Sequence, residues 1–314
     1  MSNIPTSEKT PQLLIVRGTG TALGAALGFA SVSILTSLAL EEGVRLATIL
    51  AWRYLIASVA LMTWLAVTAQ AMPNRRDLGK LLVVGGIGQG LIVYLALSSL
   101  AYIDAATLGF LFFTFPAWVA FFQVIRRAEE LDGRRILALS LSLIGVMVIV
   151  GAPSAADLDL RGVGLALGAA VLYGAFIPML RWLQGNNSIT VTTGWTKVGA
   201  AAGMLLLTIP DGGPSWVMSG RAWGVIATLA LASTVIPSLL FLKSINLIGP
   251  IRTAIVSTVE PFLTALLSLF VLARPLAGPT LLGGTLIGLA VLLLQGFWSN
   301  RAMRLDRTSS PGTG

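Results

Sequence analysis

The chain has 314 residues, of which 55% are hydrophobic and 11% charged, with a formal net charge of +8 and a mean hydropathy of +0.86. Soluble domains carry roughly a quarter charged residues, so this composition excludes a water-soluble fold and makes lipid the solvent for most of the chain. With no His and no Cys, zinc sites built on those ligands, Cys or His nucleophiles, imidazole proton relays and disulfides are excluded as well.

Residues 1–17 are polar and lack the basic, apolar and cleavage regions of a signal peptide, so they form a tail. Apolar stretches of about 20 residues then predict ten helical spans near 18–40, 47–69, 81–100, 105–125, 136–151, 162–180, 190–209, 222–241, 253–272 and 280–297. The fifth is the shortest and suits little tilt. After Ser299 comes a basic tail ending in "TSSPGTG", whose composition predicts disorder.

An even number of spans puts both termini on one side. If that side is the cytoplasm, most of the 21 basic residues are inside, including the Arg75–Arg76–Lys80, Arg126–Arg127 and Arg134–Arg135 groups and the tail arginines. Only Arg45, Arg161, Arg221 and Arg274 are outside, and Arg53 and Lys197 lie within spans. This is the positive-inside asymmetry, which predicts cytoplasmic termini and explains the basic charge without nucleic acid. The outer loops are short, leaving no domain to bind a large partner. "NNS" at 186–188 falls in an inner loop and is read as a chance sequon.

Residues 97–120 align without a gap on 242–265, placing Pro116 on Pro261. "LIGVMVIVG" from 143 then meets "LIGLAVLLL" from 286, and Arg53 of "AWRY" falls beside Lys197 of "GWTK". The chain is read as two five-span repeats, 18–151 and 162–297, joined by an outer linker at 152–161 and followed by the basic tail 298–314. Five is odd, so the second repeat enters the membrane inverted, the architecture of many secondary transporters. Paired interruptions in such repeats point to a midplane site, which makes Pro116 and Pro261 expected kinks in helices lining a central cavity. Proline kinks that serve packing alone are the competing reading.

The ten-span layout, the two halves, "YLALSSLAYIDAATLGFLFFTFPAWVAF" and "SINLIGPIRTAIVSTVEPFLTALLSLFVL" resemble the EamA-type branch of the drug/metabolite transporter superfamily over roughly residues 18–296. The resemblance implies a bacterial inner-membrane exporter of small metabolites, with amino acids prominent. Where members often have a Glu after the ninth span, this chain has Arg274 and Pro275 in "VLARPLAGP", which puts in doubt any mechanism needing that acid.

Glu260 is the one acidic residue placed well inside a span, about eight residues or roughly 12 Å along its helix. A bare carboxylate there costs several kcal/mol, so it must be protonated, paired or facing water. It accepts a substrate ammonium, carries a coupling proton, or pairs with Lys197 or Arg53. Lys197 holds a substrate carboxylate or snorkels to the interface. Arg53, some seven residues from the outer end of its span, snorkels, caps a neighbouring helix or serves a gate. Tyr94, Tyr173 and Trp195 lie beside glycine or polar residues and are candidate cavity walls whose polar atoms need partners. Gln89 and Thr193 join them. Glycines at four-residue spacing, Gly20/Gly24/Gly28, Gly164/Gly168 and Gly284/Gly288, are read as close helix packing. "GGIGQG" at 85–90 lacks the spacing and acidic partner of a dinucleotide loop, and the absence of a GxxxxGK[ST] motif excludes ATP-driven pumping by this chain alone.

The expected function is secondary export of small amphipathic metabolites, amino acids foremost, by alternating access. A cationic-drug exporter is the alternative, with a lipid-modifying enzyme or a non-transporting scaffold or channel behind it. The expected partners are a small-molecule substrate and membrane lipid, with no nucleic acid, no metal and no cofactor, in a monomer or weak homodimer.

Overall fold

A computed structural model of the chain describes the backbone of residues 9–151, 159–273 and 275–308. Most of the expected linker, Arg274, and the outermost residues of both tails lie outside the described residues. The described residues form ten long helices: α1 (Lys9–Glu41), α2 (Leu46–Val67), α3 (Arg75–Ser99), α4 (Ala105–Ile125), α5 (Gly133–Val150), α6 (Leu160–Gln184), α7 (Ile189–Leu206), α8 (Gly220–Ile248), α9 (Pro250–Leu272) and α10 (Gly278–Thr308). This is an all-α multi-pass membrane protein built from two inverted five-helix repeats. Nine of these helices are apolar and long enough to cross a bilayer. The tenth, α7, carries Thr192, Thr193, Thr196 and Lys197, all buried. Its polarity marks it as facing protein rather than lipid.

Helix starts are chemically specified. Asn74, Asp104, Asp132, Asp159, Ser188 and Ser219 each accept a backbone N–H from the first turn of α3 to α8 in chain order, satisfying donors that would otherwise lack partners. At Asp104, which lies between spans, the Thr107 N–H donates at 2.7 Å and holds the carboxyl below its usual range. The expected disorder after Ser299 is corrected up to Thr308, which α10 reaches. "RAMRLDR" contains good helix formers and no breaker, and proline comes only at Pro311.

Helices pair across the repeats: α1 packs on α8, α2 on α7, α3 on α6 and α7, and α5 on α10. The tightest contacts are made by glycines other than most of those expected. A Cβ on Gly85 would overlap the backbone of Thr196, one on Gly199 the backbone at Leu82, and Gly145 and Gly283 face each other's carbonyls across α5 and α10. Of the glycines expected to pack closely, Gly28 abuts Pro237, Gly284 abuts Phe262 and Gly24 lies against Leu240, whereas Gly20, Gly164 and Gly288 have open space around them, so the spacing of those three does not report contact within this chain.

Two pairs of interruptions shape the centre. The helices α3 and α8 each contain one π turn, Val84–Gly88 and Leu231–Val235. The helices α4 and α9 each break after one short half, at residues 113–114 and 258–259, and resume at Phe115 and Glu260. Pro116 and Pro261 therefore occupy the second position of a new half-helix, where a missing N–H is tolerated. Tight i to i+3 bonds, such as Thr114 N–H to the Leu111 carbonyl (3.2 Å) and Thr258 N–H to the Ile255 carbonyl (3.2 Å), carry the chain through each break.

Candidate substrate cavity

Both pairs of interruptions converge on a cavity of about 310 Å³ between the repeats, at the lower end of small-ligand sites. One side is polar. Arg53 (α2) and Lys197 (α7) are 8% and 7% exposed, and each reaches to the π turn of the other repeat. The Arg53 Nε donates to Thr234 Oγ1 at 2.6 Å, and the Thr234 hydroxyl passes the chain on to the Leu229 carbonyl at 2.9 Å. That carbonyl lies five residues back, at the widened turn where regular helix bonding is lost. The Lys197 Nζ reaches Gln89 Oε1, just after the α3 π turn, at 3.4 Å. Both cations also lie over the Tyr54 ring, 5.3 and 5.4 Å from its centroid.

The other side is aromatic. The ring of Tyr173 on α6 stacks on Phe112 at 5.3 Å and meets the edge of Phe115 at 4.9 Å. Phe113 and Phe176 extend this wall, and Phe29 and Phe241, 6.0 Å apart, form another part of the lining. Glycine at 174 lets α6 approach the Trp118 side chain of α4, which brings the wall together. Glu260 lines the same cavity from the first turn of its half-helix, a position where the helix dipole favours negative charge. Ion pairs among the described residues include Lys80–Asp77, Arg135–Glu129, Arg161–Asp159 and Arg221–Glu42, and none joins Glu260 to Lys197 or Arg53. The expected structural pairing of Glu260 with Lys197 or Arg53 is therefore not formed here.

Of the residues singled out from the sequence, Arg53, Gln89, Tyr173, Thr193, Lys197 and Glu260 line the cavity. Tyr94 and Trp195 do not. Helical phase explains both: Gln89, Ile92 and Val93 share the inward face of α3, whereas Tyr94 turns about 100° further and is 54% exposed. Likewise Thr193, Thr196 and Lys197 share one face of α7, and Trp195 falls behind it with its Nε1 buried and without a hydrogen-bond partner. Pro116 and Pro261 do not line the cavity, although their neighbours Phe115 and Glu260 do. Thr234 was missed, since one hydroxyl in an apolar helix is no signal without the π turn. "GGIGQG" is now explained by the α3 π turn, whose glycines admit the backbone of α7.

Outside the cavity lining, further contacts lie toward the two ends of the helices. At one end Trp52 packs edge-on to Trp216 and Trp223, at 4.4 and 4.9 Å, and donates to the Ser215 carbonyl at 2.9 Å. Ser219 and Arg221 meet Glu42 there at 2.6 and 3.2 Å. At the other, the Glu129 carboxylate accepts from Gln123 (3.0 Å) and Arg135 (3.3 Å) and lies against Gly249, whose φ of +84° makes the corner between α8 and α9. A side chain on Gly249 would collide with that carboxylate.

Comparison with known proteins gives the same architecture. A crystal structure of a protein at 17% sequence identity shares the fold with a TM-score of 0.74, covering 93% of this chain and 99% of its own. The chain is 29% identical over 236 residues to an uncharacterized inner membrane transporter, YicL, from Salmonella typhimurium, covering 71% of this chain and 75% of the relative. The family model for EamA-like transporters matches residues 16–151 and again 160–295. Two matches that together span nearly the whole membrane-embedded chain establish that the protein belongs to the EamA-like transporter family.

Proposed function

We propose that this transporter is a secondary exporter of small amphipathic metabolites, amino acids foremost, working by alternating access around the cavity between its repeats. The observation that carries the reading is a single cavity lined by the cations Arg53 and Lys197, the aromatic cluster around Tyr173 and the carboxylate of Glu260. A zwitterion with an apolar side chain satisfies all three: its carboxylate meets the cations, its ammonium meets Glu260, and its side chain lies on the wall. Alternating access around such a cavity requires an inner and an outer gate, and the Trp52–Trp216–Trp223 and Glu129–Gly249 contacts are the candidates for them. The positive-inside asymmetry favours cytoplasmic termini, the inner-membrane transporter among its relatives supports that location, and the repeats 18–151 and 162–297 are the exchanging units.

The test is counterflow in proteoliposomes preloaded with unlabelled amino acids, measured for the native chain, Glu260→Gln and Lys197→Ala. The reading expects saturable amino-acid exchange, weakened in both variants. Exchange of amphipathic cations without amino acids would replace it with cationic-drug export, and flux without stimulation by the opposite solute would indicate a channel.

A further inference from the structure

The three charges in the cavity are not equally prepared for a ligand. Arg53 and Lys197 bring two positive charges and Glu260 one negative, so the formal balance is +1. A cation left buried without a counter-ion is costly, and the balance is restored by a ligand that brings a negative group. Arg53 is also the better-fixed partner. Arg53 uses its Nε on Thr234, and its two Nη groups make no hydrogen bond among the described residues. Lys197 makes a single long contact at 3.4 Å. Both lie over the same Tyr54 ring, and they line one cavity with Thr193, Thr196 and Thr234. Thr193 Oγ1 is buried without a hydrogen-bond partner. Among the described residues Glu260 makes no hydrogen bond that holds its orientation, so an ammonium meets a group that must still be ordered on binding, at a cost in affinity.

We propose, resting on the function above, that the feature recognised first is the substrate's carboxylate, clasped between Arg53 and Lys197 with an aromatic or bulky apolar tail on the Phe112–Tyr173 wall. Monocarboxylates with such a tail and no amine are then ligands of this cavity, and amines without a carboxylate are not. Glu260 acts as a secondary contact that improves binding of zwitterions and opposes binding of simple anions.

The test uses the purified full-length protein in detergent and reads ligand-dependent thermal stabilisation, which grows with ligand concentration over Kd. Four probes share one phenyl tail: 3-phenylpropanoate, phenethylamine, L-phenylalanine and, as a neutral control, 3-phenylpropanamide. The expected result is half-saturation by 3-phenylpropanoate at least tenfold below phenethylamine, with phenethylamine no better than the amide. Glu260→Gln is expected to weaken phenylalanine several-fold while leaving or tightening 3-phenylpropanoate, and Lys197→Met to weaken both. The native protein alone decides the question if a variant fails to fold. Stabilisation by phenylalanine but not 3-phenylpropanoate overturns this inference and leaves the amino-acid reading standing. Stabilisation by 3-phenylpropanoate but not phenylalanine upholds it and removes that reading. Phenethylamine binding tightest, equal binding of all four, or no stabilisation by any overturns the clasp.

Discussion

The two repeats share a skeleton and differ in chemistry at matching points. Each breaks its fourth helix once and resumes with a residue followed by proline, but the first repeat has Phe115 there and the second Glu260. Each sends a cation from its second helix to the π turn of the other repeat, but Arg53 reaches Thr234 at 2.6 Å while Lys197 reaches Gln89 at 3.4 Å. The contact surfaces around the π turns differ too: Gly85 lies against the α7 backbone, whereas Ala232, second in the other π turn, is exposed. Duplication explains the geometry, and divergence at a few positions makes the cavity lopsided: the second repeat supplies Lys197 and Glu260 against Arg53 alone from the first, while Phe112 and Phe115 of the first repeat meet Tyr173 of the second. A transporter of amphipathic molecules needs such polarity, which two identical halves could not provide.

The comparison breaks most severely where backbones touch. Gly85→Val should destabilise the fold by about 3 kcal/mol or more, because the obstruction is main chain that cannot rotate away. Ala232→Val, at the matching but exposed place, should change stability by no more than about 0.5 kcal/mol. Detergent melting curves and the yield of monodisperse protein check both; equal losses would show that the asymmetry in packing is not real.

Next come the two cation contacts. Thr234→Val removes the acceptor for Arg53 and the donor to the Leu229 carbonyl, for an expected loss of roughly 1–3 kcal/mol. Gln89→Leu removes a contact at the limit of hydrogen bonding, and about 0.5 kcal/mol or less is expected from so long a bond. A double-mutant cycle on each pair should give clear coupling for Arg53–Thr234 and little for Lys197–Gln89. Comparable couplings would make the pairs equivalent latches.

The polar contacts at the two ends of the helices should differ less. Arg221→Ala breaks an ion pair whose arginine is 71% exposed, and its cost is expected at about 0–1 kcal/mol, shrinking with added salt. Glu129→Gln weakens hydrogen bonds to Gln123 and Arg135 whose side chains are mostly shielded, and its larger effect should persist in high salt. Melting curves at low and high ionic strength separate them.

Much of this was legible in the sequence because membrane burial writes itself as long apolar runs, and duplication writes itself as repeated motifs. The ten spans and the paired prolines follow from those two signals. The helix breaks could be placed at Pro116 and Pro261, but not the π turns, since "GGIGQG" fits close packing, hinges and loops equally well until a second helix is seen against it. Tyr94 and Trp195 failed because, next to a π turn or on a helix polar for several residues, a neighbour's composition says nothing of phase. Thr234 and the Phe112 and Phe115 rings that meet Tyr173 were hidden for a related reason: in an apolar helix a hydroxyl or an aromatic ring has the same sequence context whether it faces lipid, packing or a cavity.

The most direct test of the central claim, that the cavity between the repeats is the path, exploits the absence of cysteine from the chain. Single substitutions Gln89→Cys and Ser238→Cys on the cavity lining, with Tyr94→Cys as a control outside it, are labelled by a membrane-impermeant thiol reagent in right-side-out and inverted vesicles. The account predicts labelling of both lining positions from either face, slowed by transported amino acid, and none at Tyr94→Cys. Lining positions that react from neither face, or at a rate no solute changes, would contradict it.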